Sequence, residues 1–432
     1  MNERELVLEA LLSITRDGEY SHIVLKNLLD LYQYLDKKER AFITRVVNGT
    51  LERLIEIDYI INQFSKVKVN KMKPVIRTIL RFSVYQLKYM DSIPDSAVCN
   101  EAVKLAAKRG FHGLKGFVNG VLRGISRNLD QITYPGKEDT VAFLSVRESL
   151  PEWLVREWLK TYDAETVKKM GEAFLETAPL SVRFDPRRIT EAALTEMLKK
   201  EGVRACRIPE VPCGLYLFGL DHLSALESFQ KGYYQVQDVS SMQVALWADP
   251  QPGDEVIDVC AAPGGKAIHM AELLSGTGHV EARDLTDHKV ELIRENIARS
   301  GLANIDAVCR DALVPDPDSV EKADILIADL PCSGLGVLGR KPDLKLRVTE
   351  KTEGELAALQ RQILSVVRDY VKPGGKLLYS TCTISCQENE ENTRWFLKNS
   401  PGFSLIRQEQ RLPGVQAGDG FYIAMFRRKE DE

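Results

Sequence analysis

The stretch Asp258-Val259-Cys260-Ala261-Ala262-Pro263-Gly264-Gly265-Lys266 has the form of a strand end, a glycine-rich turn and a helix start. Glycines let a ligand approach the backbone closely, and a helix start offers free backbone N–H groups. The turn is neither the dinucleotide fingerprint nor the phosphate loop, because the upstream glycine and the Ser or Thr of the phosphate loop are missing. It therefore favours a ligand with a carboxylate and an adenosine over a triphosphate.

Strands and helices alternate from about residue 236 onwards. Strands are predicted over 255–260, 278–283, 305–309, 325–328 and 376–380, with a last strand after a turn within 419–426. Helices are predicted over 265–274, 287–300 and 356–371, the last ended by Lys372-Pro373-Gly374-Gly375. Repeated β-α units predict a doubly wound, mostly parallel, Rossmann-like α/β domain over 236–430.

Acidic residues stand at successive strand ends of this predicted sheet. Asp284 comes about 25 residues after the first strand end, where a carboxylate can accept hydrogen bonds from both ribose hydroxyls. Asp311 follows the third strand and is placed to face an adenine amino group. The alternative is that each acid only caps the next helix. Acids at three successive strand ends, Asp258, Asp284 and Asp311, favour a cofactor site over three separate caps.

Two cysteines follow two further strands. One lies in Asp329-Leu330-Pro331-Cys332-Ser333-Gly334 and the other in Ser380-Thr381-Cys382-Thr383. Ligands of open α/β sheets bind beyond the carboxyl ends of the strands, so both thiols can project into one pocket. Each cysteine alone is more often a packed small residue. Together, beside a cofactor turn, they indicate covalent chemistry on a nucleic-acid base.

The chemistry we expect at such a site is methylation of carbon 5 of cytosine. A thiolate that adds to C6 turns C5 into a nucleophile, which can then take a methyl group from a sulfonium donor. A base removes the C5 proton and the thiolate leaves by elimination. The reaction needs a nucleophilic cysteine, a second group for release and an acid or amide at N3 and N4. Cys382, Cys332 and Asp329 fit these roles.

Charge and composition indicate a multidomain globular protein with a polyanionic partner. The 432 residues carry a net charge of −4, but 1–135 carry 21 basic and 15 acidic residues, or +6, which leaves −10 for the rest. The segment 59–90 holds seven basic residues and no acid. Nucleic acid is the obvious partner, and a solvated helix face is the alternative. The start of the chain lacks the pattern of a signal peptide and no apolar run could span a membrane, so a cytoplasmic location is expected.

Three domains are predicted: an all-α bundle over 1–135, a small α+β module over 136–235 and the α/β domain over 236–430. The cysteines form neither a disulfide framework nor a zinc pattern, and no metal is expected. Cys99, Cys206 and Cys309 are interpreted as small buried hydrophobes, and the spacing of Cys382 and Cys386 is weak support for redox pairing.

The chain resembles the RNA cytosine-5 methyltransferases, and most closely the bacterial RsmB (Sun/Fmu) family that acts on 16S ribosomal RNA. The segments 259–266 and 237–241 resemble the family's S-adenosylmethionine turn and the residues before it, and 97–103 and 116–123 resemble its N-terminal NusB-like RNA-binding domain. The resemblance covers nearly the whole chain. Leu330 and Thr383 depart from the family's usual alanine and serine, and Leu330 is expected to alter packing against the base.

The resemblance implies a role for each site residue. The backbone contacts to S-adenosylmethionine fall on Cys260, Ala261, Ala262, Pro263, Gly264, Gly265 and Lys266. Asp284 falls on the ribose, Asp311 near the adenine and Asp329 beside both cofactor and base. Cys382 matches the nucleophile and Cys332 the cysteine of product release.

The same resemblance implies a monomer that acts on 16S ribosomal RNA or a small-subunit precursor. Arg340-Lys341-Pro342-Asp343 either contacts the RNA near its target or is an exposed turn. Three alternatives stay open: the same reaction on transfer RNA, a non-catalytic ribosome assembly factor, and thiol redox chemistry at Cys382 and Cys386.

Overall fold

The computed structural model describes residues 2–32, 34–220 and 222–430, which form two compact units. The first, helical unit comprises Met1–Thr177 and Leu338–Arg347, and the second, sheet unit comprises Ala178–Val337 and Val348–Glu432. The domain boundaries predicted at 135 and 235 differ from the limits of these units and stay predictions. Among the described residues, no helix combines the length and apolarity that a membrane crossing requires.

The helical unit is built from amphipathic helices around one apolar core. Its α-helices are α1 (Glu3–Thr15), α2 (Ser21–Leu31), α3 (Lys37–Glu52), α4 (Leu54–Phe64), α5 (Pro74–Tyr89), α6 (Asp95–Lys108), α7 (Lys115–Arg127), α8 (Thr140–Arg147), α9 (Glu152–Trp158) and α10 (Ala164–Leu175). Short 3-10 helices lie at Val69–Lys71, His112–Leu114, Leu129–Gln131 and Pro342–Leu346. Helix α5 begins at Pro74, where a missing N–H costs nothing. Its buried Ile79, Leu80 and Phe82 place it at the centre of the core.

The seven basic residues of 59–90 divide into two parts, with the half-buried Arg77 between them. Lys66, Lys68, Lys71 and Lys73 are exposed on the connection between α4 and α5, which includes a 3-10 turn, so they do not form a helix face. Arg81 instead donates two hydrogen bonds to Asp58, and Lys88 pairs with Glu56 at 3.0 Å. The four exposed lysines are therefore the part of the run that is open to a polyanion.

The segment after the Cys332 loop belongs to the helical unit. Its Asp343 is buried and accepts a hydrogen bond from Ser21 Oγ at 2.6 Å, and Lys345 Nζ donates to the Glu52 carbonyl at 2.7 Å. Arg340 and Lys341 are exposed. Of the two alternatives for 340–343, the exposed turn therefore does not hold for the second half, because Pro342 and Asp343 are buried in the helical unit.

The sheet unit opens with an antiparallel sheet in the order β2-β3-β1-β4. The strands are β1 (Leu180–Phe184), β2 (Arg204–Arg207), β3 (Gly214–Phe218) and β4 (Tyr234–Val236), and the helices are α11 (Glu191–Lys200) and α12 (Glu227–Gln230). Val182, Leu215 and Tyr234 face α11 in a small core. Thr190 caps α11, since its hydroxyl accepts a hydrogen bond from the Ala193 N–H.

The larger sheet has the order β10-β11-β9-β8-β5-β6-β7. Its strands are β5 (Glu255–Asp258), β6 (His279–Asp284), β7 (Ile305–Cys309), β8 (Ala323–Asp329), β9 (Val371–Thr381), β10 (Phe403–Arg411) and β11 (Phe421–Arg428). The helices around it are α13 (Val239–Ala248), α14 (Gly265–Leu273), α15 (Asp287–Ser300), α16 (Glu350–Val367) and α17 (Glu390–Asn399). Further 3-10 turns in this unit lie at Leu223–Ala225, Pro317–Ser319 and Arg368–Tyr370.

Neighbouring strands in the run β7-β6-β5-β8-β9 pair in parallel. Strands β11 and β10 continue the sheet antiparallel beyond β9. Alternate residues of β8 enter different cores, Ile325 and Ile327 on one face and Leu326 and Ala328 on the other. Such a strand is covered on both faces, as in a doubly wound fold. The order reverses between β5 and β8, so the crevice for a ligand opens there, at the carboxyl ends of the strands.

Two sequence predictions in this unit are wrong. The residues 372–375 do not end a helix but form a bulge in β9, between the pairs Ala323–Val371 and Ile325–Lys376, where β8 has only Asp324. A bulge tolerates Pro373 because no ladder N–H is needed there. Cys206 and Cys309 are exposed rather than buried, because each lies on an edge strand of its sheet, whereas Cys99 is buried as predicted.

Candidate active site

The glycine-rich turn follows β5 at the reversal point of the sheet. The Val259 N–H donates to the Ile327 carbonyl at 3.1 Å and the Ala261 N–H donates to the Arg283 carbonyl at 2.7 Å, so both neighbouring strands hold the turn. Gly264 caps α14 with φ of 103°, a conformation that favours glycine. The turn therefore presents its backbone at a helix start, as the sequence predicts.

A cavity of about 290 Å³ lies against this turn. Cys260, Asp284, Asp311 and Asp329 line it together with both predicted thiols, Cys332 and Cys382. Carboxylates at successive strand ends are acceptors for ribose hydroxyl and adenine amino donors, so the residues present fit S-adenosylmethionine. The structure thus brings part of the predicted set to one cavity, namely Cys260, Ala262, Asp284, Asp311, Asp329, Cys332 and Cys382. The other predicted cofactor residues, Ala261, Pro263, Gly264, Gly265 and Lys266, are not among the residues that line it.

Asp284 has a second task beyond lining the cavity. Its Oδ2 accepts a hydrogen bond from the Ala262 N–H at 3.0 Å, and its Oδ1 pairs with Lys289 Nζ at 3.0 Å. The carboxylate therefore ties the end of β6 to the glycine-rich turn. Asp311 is exposed and accepts from the Leu313 N–H at 2.9 Å, which shapes the loop after β7.

Asp258 is buried directly behind the turn. Burial raises the pKa of its carboxyl to about 7, while Lys266 acts in the opposite direction. Asp258 Oδ2 has no hydrogen-bond partner among the described residues. A buried acceptor without a partner is costly, so Asp258 offers an unused hydrogen-bonding atom beside the cofactor turn.

Lys266 and Asp329 form an ion pair across the reversal point. Lys266 Nζ lies 2.6 Å from Asp329 Oδ2, and Ser380 Oγ donates to Asp329 Oδ1 at 2.7 Å. Burial opposes the charge on Lys266, but Asp329, Asp258 and Cys382, in that order, outweigh it and raise the pKa of the ammonium. Lys266 was predicted only for its backbone, and its side chain brings a positive charge to Asp329 and Cys382.

The two thiols are adjacent. Cys332 Sγ lies 3.3 Å from Cys382 Sγ, and the Gly336 N–H donates to the Cys382 carbonyl at 3.0 Å. The hydrogen bond to Cys382 and burial raise the pKa of the Cys332 thiol. Cys332 therefore keeps its proton more readily than an ordinary cysteine does, and Cys386 is not the neighbour of Cys382 in this contact.

Sequence reasoning missed two buried polar residues beside the thiols, Glu388 and Asn389. Both contact the loops that carry the cysteines, through Ser333 and Thr383. The available signal was the polar run 387–392 directly after the second cysteine. A helix start explains that run equally well, so the sequence alone did not distinguish a site residue from a cap.

Family models match most of the chain. The model for 16S rRNA methyltransferase RsmB/F matches residues 245–427, the NusB family model matches 1–127, and the RsmF/B-like ferredoxin-like domain matches 150–219. The probable ribosomal RNA small subunit methyltransferase B of Bacillus subtilis (strain 168) is 36% identical and covers 99% of this chain, which covers 98% of it in turn. The ribosomal RNA small subunit methyltransferase B of Salmonella paratyphi B is 29% identical, with 99% of each chain covered.

Solved structures agree with these matches. The crystal structure of PH0851 superposes with a TM-score of 0.82 at 24% identity, covers 100% of this chain and is itself covered to 99%, which shows the shared fold. NSun6 from Pyrococcus horikoshii with SFG, an S-adenosylmethionine analogue, has a TM-score of 0.60 at 26% identity over 66% of this chain and 100% of its own. The chain belongs to the RsmB/F family of small-subunit ribosomal RNA methyltransferases, which depend on S-adenosylmethionine.

Proposed function

We propose that this enzyme methylates C5 of a cytosine in 16S ribosomal RNA through a covalent bond between Cys382 and C6 of the base. The observation that carries the proposal is the pair of thiols, 3.3 Å apart, at the ends of β8 and β9 in the cavity that also holds the cofactor turn. Methylation of a ring nitrogen, an exocyclic amine or a ribose needs no thiol. Two adjacent thiols match a reaction that forms and then breaks a carbon–sulfur bond.

The surroundings of the two thiols support different roles. The raised pKa of Cys332 keeps that sulfur protonated, so it can donate its proton towards Cys382. A nearby cation favours a thiolate, and the electrostatic contact between Lys266 and Cys382 supplies one. Cys382 is then the nucleophile. Once water has taken the C5 proton of the methylated adduct, the C5–C6 double bond re-forms, the C6–sulfur bond breaks, and Cys332 assists release by protonating the departing Cys382 sulfur.

Asp329 is the proposed contact to the base. Its carboxylate lies beside Lys266 and Ser380 and lines the same cavity as both thiols. S-adenosylmethionine, when bound, supplies the electrophilic methyl group. The proposed contacts to it are the backbone from Cys260 to Lys266 and the carboxylates of Asp284 and Asp311.

A target base inside folded RNA must leave its stack before a thiol can reach C6. The exposed lysines between α4 and α5 supply phosphate contacts that would hold the RNA during this step. We therefore assign RNA positioning to the helical unit and base selection to the cavity of the sheet unit.

Transfer of tritium from methyl-labelled S-adenosylmethionine to total RNA of a strain lacking the gene tests the proposal. We expect label in 5-methylcytidine of small-subunit RNA. Label in 5-methylcytidine of transfer RNA would keep the chemistry and overturn the substrate. Label in another nucleoside would overturn the chemistry, and RNA binding without any label would favour an assembly factor.

A further inference from the structure

Glu388 and Asn389 are fully buried directly beside the two thiol loops, and the proposed mechanism leaves them without a role. A buried carboxylate is costly unless hydrogen bonds or a cation compensate it. The hydrogen-bond donors to the Glu388 carboxylate in the described chain are the neutral groups of Ser333 and Gln360, and burial raises its pKa. The burial of the Glu388 carboxylate costs free energy, and its place beside the thiols suggests that this cost serves a function.

Glu388 holds the residues on both sides of Cys332. Its Oε2 accepts from the Ser333 N–H at 3.0 Å, and Ser333 Oγ donates to its Oε1. Gln360 Nε2 donates to Glu388 Oε2 at 2.8 Å and to the Pro331 carbonyl at 2.9 Å. The carboxylate thus fixes Ser333 directly and Pro331 through Gln360.

Asn389 does the same for Cys382. Thr381 Oγ1 donates to Asn389 Oδ1 at 2.6 Å, and Asn389 Nδ2 donates to the Thr383 carbonyl at 3.1 Å. The same Nδ2 donates to Gln410 Oε1 at 2.7 Å, which orients the amide. Two consecutive side chains, Glu388 and Asn389, therefore fix the residues that flank Cys332 and Cys382 respectively.

The hydrogen bonds around Cys332 and those around Cys382 are joined by a contact between the two loops. Ser333 Oγ and Thr383 Oγ1 lie 2.6 Å apart, so the residue after Cys332 contacts the residue after Cys382. Both loops are thereby fixed to one short segment. Misplacing a reacting group by about 1 Å can cost on the order of 100-fold in rate.

Resting on the function proposed above, we propose that Glu388 and Asn389 are positioning residues that set the placement of Cys332 and Cys382 respectively. Glu388 then serves release and Asn389 serves addition. Glu388 acts as a hydrogen-bond acceptor and not by charge, because a glutamine can accept from the Ser333 and Gln360 N–H groups while donating to Ser333 Oγ. Ser333 Oγ can accept that bond while its own proton turns to Thr383.

The test uses the full-length enzyme with two small-subunit ribosomal RNAs, one ordinary and one containing 5-fluorocytidine. The fluorinated RNA cannot lose its C5 substituent, so the methylated adduct accumulates, and its rate of formation reports addition and methyl transfer without release. We expect Asn389→Asp to slow adduct formation by about 10- to 100-fold. Glu388→Ala should keep adduct formation within about 3-fold but lower turnover on ordinary RNA by about 10- to 100-fold, with protein–RNA adduct accumulating. Glu388→Gln should stay within about 3-fold of the parent in both measurements.

Thr393→Val is the matched control, since Thr393 is buried at the start of α17 and its hydroxyl bonds Tyr422 instead of a thiol loop. It should match the parent in both rates, and the thermal midpoint and S-adenosylmethionine affinity of every variant show that the sheet unit is folded. Equal loss of both steps in Glu388→Ala and Asn389→Asp would overturn the division of roles. A Glu388→Gln variant as slow as Glu388→Ala would indicate an acid–base role. A parent enzyme without any adduct, yet active on another nucleoside, would overturn the proposed function itself.

Discussion

The two cysteines differ in the charges and hydrogen bonds around them, and this difference predicts different defects on replacement. Cys382→Ala removes the atom that bonds C6, so we expect no adduct and a loss of methyl transfer of about 10⁴-fold or more. Cys332→Ala leaves addition possible but removes the proton donor 3.3 Å away, so a slowly released protein–RNA adduct should accumulate. Denaturing gel electrophoresis of labelled RNA incubated with enzyme and S-adenosylmethionine measures the protein–RNA adduct of both variants.

Cys386→Ala is the control for these variants. Cys386 is half-buried and the second thiol next to Cys382 is Cys332, so the replacement should leave methyl transfer largely intact. Loss of activity in Cys386→Ala would favour the redox alternative. Adduct missing from Cys332→Ala, with normal cofactor binding, would contradict the assigned roles.

At this scale the sequence predicted the residues that follow strands. Cys332, Cys382 and Asp329 could be placed because the carboxyl ends of parallel strands meet at one edge. Glu388, Asn389 and the side-chain contact of Lys266 could not be placed. Their partners lie far along the chain, and no local periodicity encodes such contacts.

Among the elements, the loop from β8 returns against the loop after β9 at Gly336. The Gly336 N–H donates to the Cys382 carbonyl, and a Cβ at Gly336 would lie 2.9 Å from that oxygen and collide with the Gly420 carbonyl. We expect Gly336→Ala to displace the Cys382 loop and lower the methylation rate by about 10-fold or more. Gly402→Ala, where the Cβ would meet open space, is the control. Equal rates for both variants, measured with labelled S-adenosylmethionine, would contradict the argument.

The 3-10 helix Pro342–Leu346 carries a lysine whose charge is disfavoured. Burial lowers the pKa of Lys345 to about 7, with Glu52 opposing and Arg53 adding to the shift. Between pH 7 and the higher pKa of the unfolded chain, the unfolded state binds more protons, so the free energy of unfolding rises with pH. The slope from this group is at most about 1.4 kcal/mol per pH unit.

Lys345→Met should therefore be most stable relative to the parent near pH 7, and lose that advantage as pH rises towards 10. Urea unfolding of both proteins across this range measures the difference. Lys341→Met, at an exposed lysine of the same segment, should leave the difference between variant and parent constant. A constant difference for Lys345→Met would show that Lys345 is not the titrating group.

Local sequence patterns predicted most helices and strands. They failed where the pairing of one strand with another determines the structure. Helix α5 starts at Pro74, as the preference of proline for the first turn of a helix indicates. The run 372–375 has the composition of a turn, yet it is a bulge because β9 continues on both sides of it against β8. The apolar residues of 42–55 form one helical stripe in the sequence, yet they divide into α3 and α4 at Arg53, because a stripe shows which face is buried and not whether the helix axis is continuous.

For the whole molecule, the sequence predicted the order of the helical, α+β and α/β regions. It predicted the topology of the mixed sheet only in part. Repeated β-α units predicted the parallel strands, and the antiparallel end of the sheet, where β11 lies between β9 and β10, is a crossover that no local pattern specifies. The return of Leu338–Arg347 to the helical unit is equally non-local. The charge asymmetry, by contrast, is visible directly in the sequence and leads to a prediction for the intact enzyme.

RNA affinity should depend on the exposed lysines of the helical unit more than on lysines of the sheet unit. Each lysine that contacts a phosphate contributes about 0.7–0.9 to the slope of log affinity against log salt. The double variant Lys68→Ala and Lys71→Ala should thus lower that slope by up to about 1.4–1.8 and weaken RNA binding most at low salt. Lys199→Ala with Lys200→Ala, on exposed positions of α11, removes the same charge as a control. Filter binding of ribosomal RNA over a salt series would contradict the assignment if both double variants shifted the slope equally, because the charge would then act through the protein as a whole and not through the connection between α4 and α5.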